Sequence, residues 1–392
     1  MGRGGYNTMP RKKTAAYLFL AVFFFAPWTA SAAGIMVTPY IGIASGYSDN
    51  LYFSETGEID DFILIASPGI SVNYTSELLD LQSEIGFGIV RYLDETDANT
   101  INQMYTADVV YRALEKLSFN GNFSYTKDTT LESELQETGI LGRLSNRHSY
   151  NAGGGLTYEI SEVSDIDIGY SHGKTAYELS EYTDHTSDDV SIAYNYTIND
   201  RLDVLSITPI YRKLDSDISK TDIYGISLGI SHVFTETLHS SFHLGTSHYD
   251  TRHTEGRSYT RWGWTADASL EKSWQTASAS ISYTRNTEYT YEGEPAETNR
   301  FSVRGSKMLT KRLGIGFTGS YYYTKSLDET QYDLDTRYLE VTPSIKYMIT
   351  ANHSLELVYD YSYAQDKNLT GDNEADRNMV WLIFSFTFPQ KW

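Results

Sequence analysis

Five of the nine histidines in this 392-residue chain, His232, His239, His243, His248 and His253, crowd into one stretch and are the first candidates for chemistry. On an extended strand His239 and His243 share a face but stand four residues apart, roughly 13 Å. One metal ion cannot bridge that distance, so only a pair on neighbouring strands would serve. Cysteine is absent and no His-Glu-x-x-His occurs, so no zinc pattern is present. Gly153-Gly154-Gly155 sits inside an alternating segment rather than before a helix, which suits close strand packing better than a phosphate cradle. We expect no cofactor, no metal and no catalytic residue; a barrel hydrolase is the least favoured reading.

The elements that carry these residues alternate with period two. Leu79, Leu81, Ile85, Phe87 and Ile89 share one face, with Asp80, Gln82, Glu84, Gly86 and Gly88 on the other. Leu313, Ile315, Phe317, Tyr321 and Tyr323 repeat the pattern, as do Leu355, Leu357, Tyr359, Tyr361 and Tyr363. Such alternation marks strands with one apolar and one polar face. The segments run 9 to 14 residues. A tilted membrane strand needs about 9–11, whereas soluble strands usually have about 5–6. Length therefore separates a membrane barrel from a soluble sandwich.

Composition agrees. The chain has 33 Tyr, 16 Phe and 6 Trp yet a mean hydropathy of −0.40, as expected when an apolar outer face is balanced by a polar inner one. The net charge is −20. Nucleic acid is excluded as a partner, because no basic stripe exists to meet phosphates. Residues 1–33 read as a cleaved secretory signal: Arg3, Arg11, Lys12 and Lys13, then the apolar run Ala15 to Pro27, then Ala30-Ser31-Ala32. Met9 serves equally as a start, and the competing reading is an N-terminal helical anchor. Residues 34–392 form the second unit, a barrel domain.

Connections alternate short and long. Eight short ones, such as Ser76-Glu77 and Asn199-Asp200, and nine long ones, such as Lys127–Asn146, Asp215–Lys220 and Ala364–Asp376, predict 18 strands, within two. The fold class expected is all-β: a closed antiparallel transmembrane barrel with short periplasmic turns and long acidic extracellular loops. Glu132, Glu134 and Glu137, and Glu288, Glu292, Glu294 and Glu297, illustrate that acidity. Solvation explains it; bridging of lipopolysaccharide by divalent cations is the sharper alternative. The Lys127–Asn146 connection, with Leu131, Ile140, Leu141 and Leu144, can fold inward as a constriction.

The last segment places Val380, Leu382, Phe384, Phe386 and Phe388 on one face, with Trp392 in the same parity. An apolar final strand with an aromatic last residue resembles the signal read by the outer-membrane assembly machinery. Pro389 interrupts the ladder, so the final residues are expected to hang as a short tail.

Gly46-Tyr47-Ser48-Asp49-Asn50-Leu51, followed by Asp60-Asp61-Phe62-Ile63-Leu64-Ile65-Ala66-Ser67-Pro68-Gly69-Ile70-Ser71, resembles the first hairpin of PEP-CTERM-system-associated outer-membrane β-barrel proteins in the β-barrel porin 2 group. The likeness extends over the mature chain in strand pattern. It implies an association with exopolysaccharide production and surface sorting, and brings no catalytic residues. Physically, Asp49-Asn50 opens a turn and Pro68-Gly69 marks a bend or bulge.

Inward positions give the candidate lumen lining: Asp80, Glu84, Asp108, Glu340, Glu356 and Asp360 are acidic, and Arg112, Arg300, Arg304 and Lys346 basic. Most should pair across strands, while Arg300 and Arg304 could meet anionic sugars. The reading is an outer-membrane channel for hydrophilic solutes; a non-conducting scaffold barrel is the alternative. Expected partners are outer-membrane lipid and lipopolysaccharide, the assembly machinery and exopolysaccharide.

Overall fold

The computed structural model describes residues 34–140, 142–198, 203–327, 334–368 and 371–391. The expected signal segment, Leu141, the Asn199-Asp200 turn and Trp392 lie outside them. Eighteen strands follow one another round a single sheet: β1 (Gly34–Ser48), β2 (Asp61–Thr75), β3 (Leu79–Tyr92), β4 (Thr100–Leu114), β5 (Leu117–Thr129), β6 (Asn146–Ser161), β7 (Ser164–Tyr177), β8 (His185–Ile198), β9 (Asp203–Ser216), β10 (Ser219–Thr235), β11 (Leu238–His253), β12 (Ser258–Ser273), β13 (Ala277–Tyr289), β14 (Pro295–Met308), β15 (Leu313–Ser326), β16 (Asp335–Met348), β17 (His353–Asn368) and β18 (Gly371–Thr387). Each pairs antiparallel with the next, and β18 returns to β1 from Tyr40↔Thr387 to Ser48↔Met379. Closure leaves no sheet edge, as a strand-built membrane protein requires.

The expected alternation fixes the two faces. Ile41, Ile43, Phe62, Leu64, Leu228, Phe317, Leu357 and Leu382 are exposed on the outside, forming the apolar belt that meets lipid. Small and polar residues turn inward between them.

The strands are 13 to 17 residues long, more than the sequence suggested. Several connections expected to be long therefore shrink. Between β9 and β10 only Asp217 and Ile218 remain, and the Ala364–Asp376 connection is largely strand. Above the membrane the outer face of a strand meets water in place of lipid, so polar residues continue the ladder instead of leaving it. Sequence periodicity fades there while the backbone hydrogen bonds persist.

Prolines interrupt the ladders without shifting them. Pro68, Pro209 and Pro343 each stand where two pairs are skipped and the register resumes unchanged. The bulge expected at Pro68-Gly69 is thus absent; a missing donor breaks hydrogen bonds but need not insert a residue. The C-terminus needs the same correction. Gln390–Lys391 pair with Val37 and Met36 in the register of β18, and Phe388 N–H donates to the Pro39 carbonyl (2.9 Å). The final described residues are strand, not a loose tail.

Candidate channel and its closed mouth

Most of the buried side chains lie inside the barrel near its extracellular end. There the β5–β6 connection folds inward as two short helical turns, Thr130–Glu134 and Leu135–Thr138. Its tip reaches the opposite wall. Tyr322 Oη donates to the Gln136 carbonyl, and Thr324 Oγ1 to that of Thr138. Leu135 packs with Tyr322, Tyr338, Ala364, Ala375 and Phe53. Phe53 comes from the β1–β2 connection and adopts a left-handed backbone (φ 56°), a conformation that costs a non-glycine residue about 1–2 kcal/mol. Burial of its ring, edge-on to Tyr338 and under the Arg377 guanidinium at 5.0 Å, holds it there.

A second inward piece is the β13–β14 hairpin. Its tip reaches the β9–β10 turn, where Ser216 Oγ and Ser219 Oγ donate to the Gly293 carbonyl (2.8 and 2.9 Å). Leu214, Ile223, Tyr249, Tyr289 and Leu327 form an apolar cluster beside it.

The two inward pieces meet at Glu134. Its carboxylate accepts from Tyr177 Oη (2.8 Å), lies 3.4 Å from Arg147 and has the Tyr291 backbone close by. Arg147 also contacts Glu137 and Ser133. Burial pushes the Glu134 carboxyl up to about 7, against the pull of Arg147 and Tyr177 in the other direction. A second, half-buried cation, Arg212, contacts Asp189 and Glu288.

Below this mouth the anticipated lumen positions fall on the inward face, and several pair as cross-strand neighbours should. Arg112 meets Asp80 at 2.5 Å, Lys346 meets Glu356 at 3.5 Å, and Asp360 accepts from Thr342 and Ser362. Glu84 accepts from Tyr40 Oη (2.6 Å). Asp108 stands opposite Gln82 and Asn122, and Glu340 opposite Ser320 and Ser362. Arg300 stacks over Tyr322 at 5.0 Å, while Arg304 lies exposed across from Ser280 and Thr318.

The motif residues serve the barrel seam. Asp49 accepts from the Asn378 backbone and side chain (both 2.7 Å), and Asn50 donates to the carbonyls of Ser54 and Asp376. The turn-opening role thus comes with a second one, tying the first connection to β18. Phe384, Phe386 and Phe388 follow the outer-face parity.

The histidines do not converge. His243 lies against Gly229, His248 packs on Trp262, and His232 contacts Asp203. Among the described residues no three metal-ligating side chains gather. Gly225 to Gly229 spells Gly-x-Ser-x-Gly, but within β10 rather than at a strand-to-helix elbow. Arg147, Tyr177, Arg212 and Tyr322 were not singled out from sequence. Tyr322, Tyr338, Tyr249 and Ile223 carried a signal nonetheless, as large apolar residues on the face otherwise polar.

No protein-family model and no curated protein matches the chain. Solved structures resemble it in fold at low identity. Pseudomonas aeruginosa OccK2 (OpdF) is 9% identical, with 91% of this chain and 98% of that one covered and a TM-score of 0.50. OpdK from the same organism, solved with vanillate, is 9% identical over 91% and 99% (0.48). Acinetobacter baumannii OccAB4 is 10% identical over 93% and 100% (0.48). The closed 18-strand sheet with its lipid-facing belt defines a multi-pass β-barrel of the outer membrane.

Proposed function

We propose that the protein is a passive outer-membrane channel for hydrophilic solutes, working without catalysis and linked to exopolysaccharide export as in the PEP-CTERM-associated family its first hairpin resembles. The observation that carries this reading is the charged and hydroxylated inner wall below the closed mouth, from Asp80–Arg112 round to Lys346–Glu356. Eighteen strands enclose more than side chains alone can fill. Arg300 and Arg304 would meet passing anionic sugars. Lipopolysaccharide would surround the outer belt, and the assembly machinery would read the Phe384–Phe388 face together with Trp392.

The packed mouth favours a second reading, a non-conducting scaffold of an export or sorting complex. Single-channel recording of the refolded protein, with sugar polymers of graded size as blockers, separates the two. Discrete conductance blocked by small but not large polymers supports the channel; silence at every voltage supports the scaffold.

A further inference from the structure

The ladder between β12 and β13 is the shortest in the barrel among the described residues. It runs from Ser273↔Ser278 to Ala266↔Arg285 and stops, although β12 continues to Ser258 fully paired with β11 on its other side. Above Arg285 the β13–β14 hairpin leaves the wall and bends inward. Thr287 Oγ1 donates to Tyr249 Oη (3.1 Å), and Tyr289 Oη to the Ser219 carbonyl (2.9 Å). The break begins level with Trp262 and Trp264, 68% and 46% exposed on the outer face, residues that favour the headgroup zone of a membrane.

Side chains close the break in place of backbone. Glu297 Oε2 lies 2.8 Å from Arg285 and 3.6 Å from Arg261, so one carboxylate joins the two sides. Arg285 Nε donates to the Trp264 carbonyl (3.1 Å). Gly263 makes room: a Cβ there would lie 2.7 Å from Tyr249 and 3.2 Å from Glu297 Oε1, an oxygen buried without a hydrogen-bond partner. A strand edge left unpaired from the headgroup zone outward opens the wall beside lipid, so a latch of three charged side chains there is a feature to explain.

We propose that this break is a lateral portal between the barrel interior and the outer leaflet, taking an anionic amphiphile with an apolar tail. Behind the latch lies the cluster Leu214, Ile223, Tyr249, Tyr289 and Leu327, an apolar nest separate from the Leu135 cluster and suited to the tail. When Glu297 swings aside, Arg261 and Arg285 present two guanidinium groups to a carboxylate or phosphate head. The portal does not depend on conduction along the barrel axis.

The test is photolabelling of the full barrel in vesicles with a diazirine-bearing long-chain carboxylate, against the matching long-chain alcohol, with adducts mapped by mass spectrometry. Adducts are expected on Tyr249, Tyr289 or Leu327, several-fold stronger with the carboxylate and reduced in Arg285→Gln and in Arg261→Gln. Labelling confined to outer-face residues such as Phe317 and Phe384, or equal labelling by both probes, overturns the proposal. The wild-type map decides the route even if a variant fails to fold.

Discussion

The hydroxyl of Tyr322 on β15 donates to the Gln136 carbonyl, which belongs to the connection between β5 and β6 on the far wall. β5 and β15 are ten strands apart one way round the ring and eight the other, so this contact spans the barrel. With Thr324 and the Leu135 cluster it keeps the connection inside. A single neutral hydrogen bond contributes about 1 kcal/mol, so the connection is held by several small terms and can be released in steps.

Glu134 makes that release depend on pH. Its carboxyl rises from an ordinary 4.5 to about 7 because burial disfavours the charged form. The groups facing it are Arg147, Glu137, Tyr177 and Tyr291. The inward state holds its proton over a range where the released connection would lose it. Stability of the inward state is therefore fully present below about 4.5 and falls as pH rises through about 7. We expect channel openings to become more frequent between pH 5.5 and pH 8.5 in planar bilayers, and Glu134→Gln to flatten that dependence. More openings at the acid end would contradict the assignment.

Gly69 is required by an aromatic ring. Tyr40 crosses β2 to reach Glu84 on β3, and a Cβ on Gly69 would sit 2.2 Å from the Tyr40 ring. Gly69→Ala should displace the ring, break the hydrogen bond and destabilise the barrel by about 1–3 kcal/mol. Urea titration of the refolded variant reads this directly. Tyr40→Ala combined with Gly69→Ala should add little to Tyr40→Ala alone.

Arg300 and Arg304 set charge along one inner row, Arg300 over Tyr322 and Arg304 exposed. Replacing both with alanine should shift the reversal potential in a salt gradient toward cation selectivity. Identical reversal potentials would remove them from the conducting path.

The membrane-crossing part of this fold was legible because lipid enforces one rule at every second residue. Leu79 to Ile89 and Leu313 to Tyr323 obeyed it, and strand number followed from where it lapsed. Above the membrane the rule stops, which is why Asp215–Lys220 and Ala364–Asp376 read as long connections although they are mostly strand. Proline carries an ambiguous signal: Pro68 and Pro389 each remove a donor, but the ladder resumes beyond both in the same register. The lumen positions were readable by parity, whereas the mouth was only half readable. The Lys127–Asn146 connection had apolar residues with nothing local to cover them, yet its partners Tyr322 and Tyr338 lie nearly two hundred residues away. Glu134 reads as an ordinary solvated charge and Arg147 carries no signal of its own, since burial by a second connection leaves no trace in local sequence.

Deleting residues 131–140 and recording single channels beside the wild type tests the central claim, that a polar conduit is closed at its outer end by the protein's own β5–β6 connection. The account predicts small or brief openings in the wild type and a several-fold larger, long-lived conductance in the deletion, with both barrels equally resistant to unfolding in detergent. A deletion variant that folds but conducts no more than the wild type would contradict it.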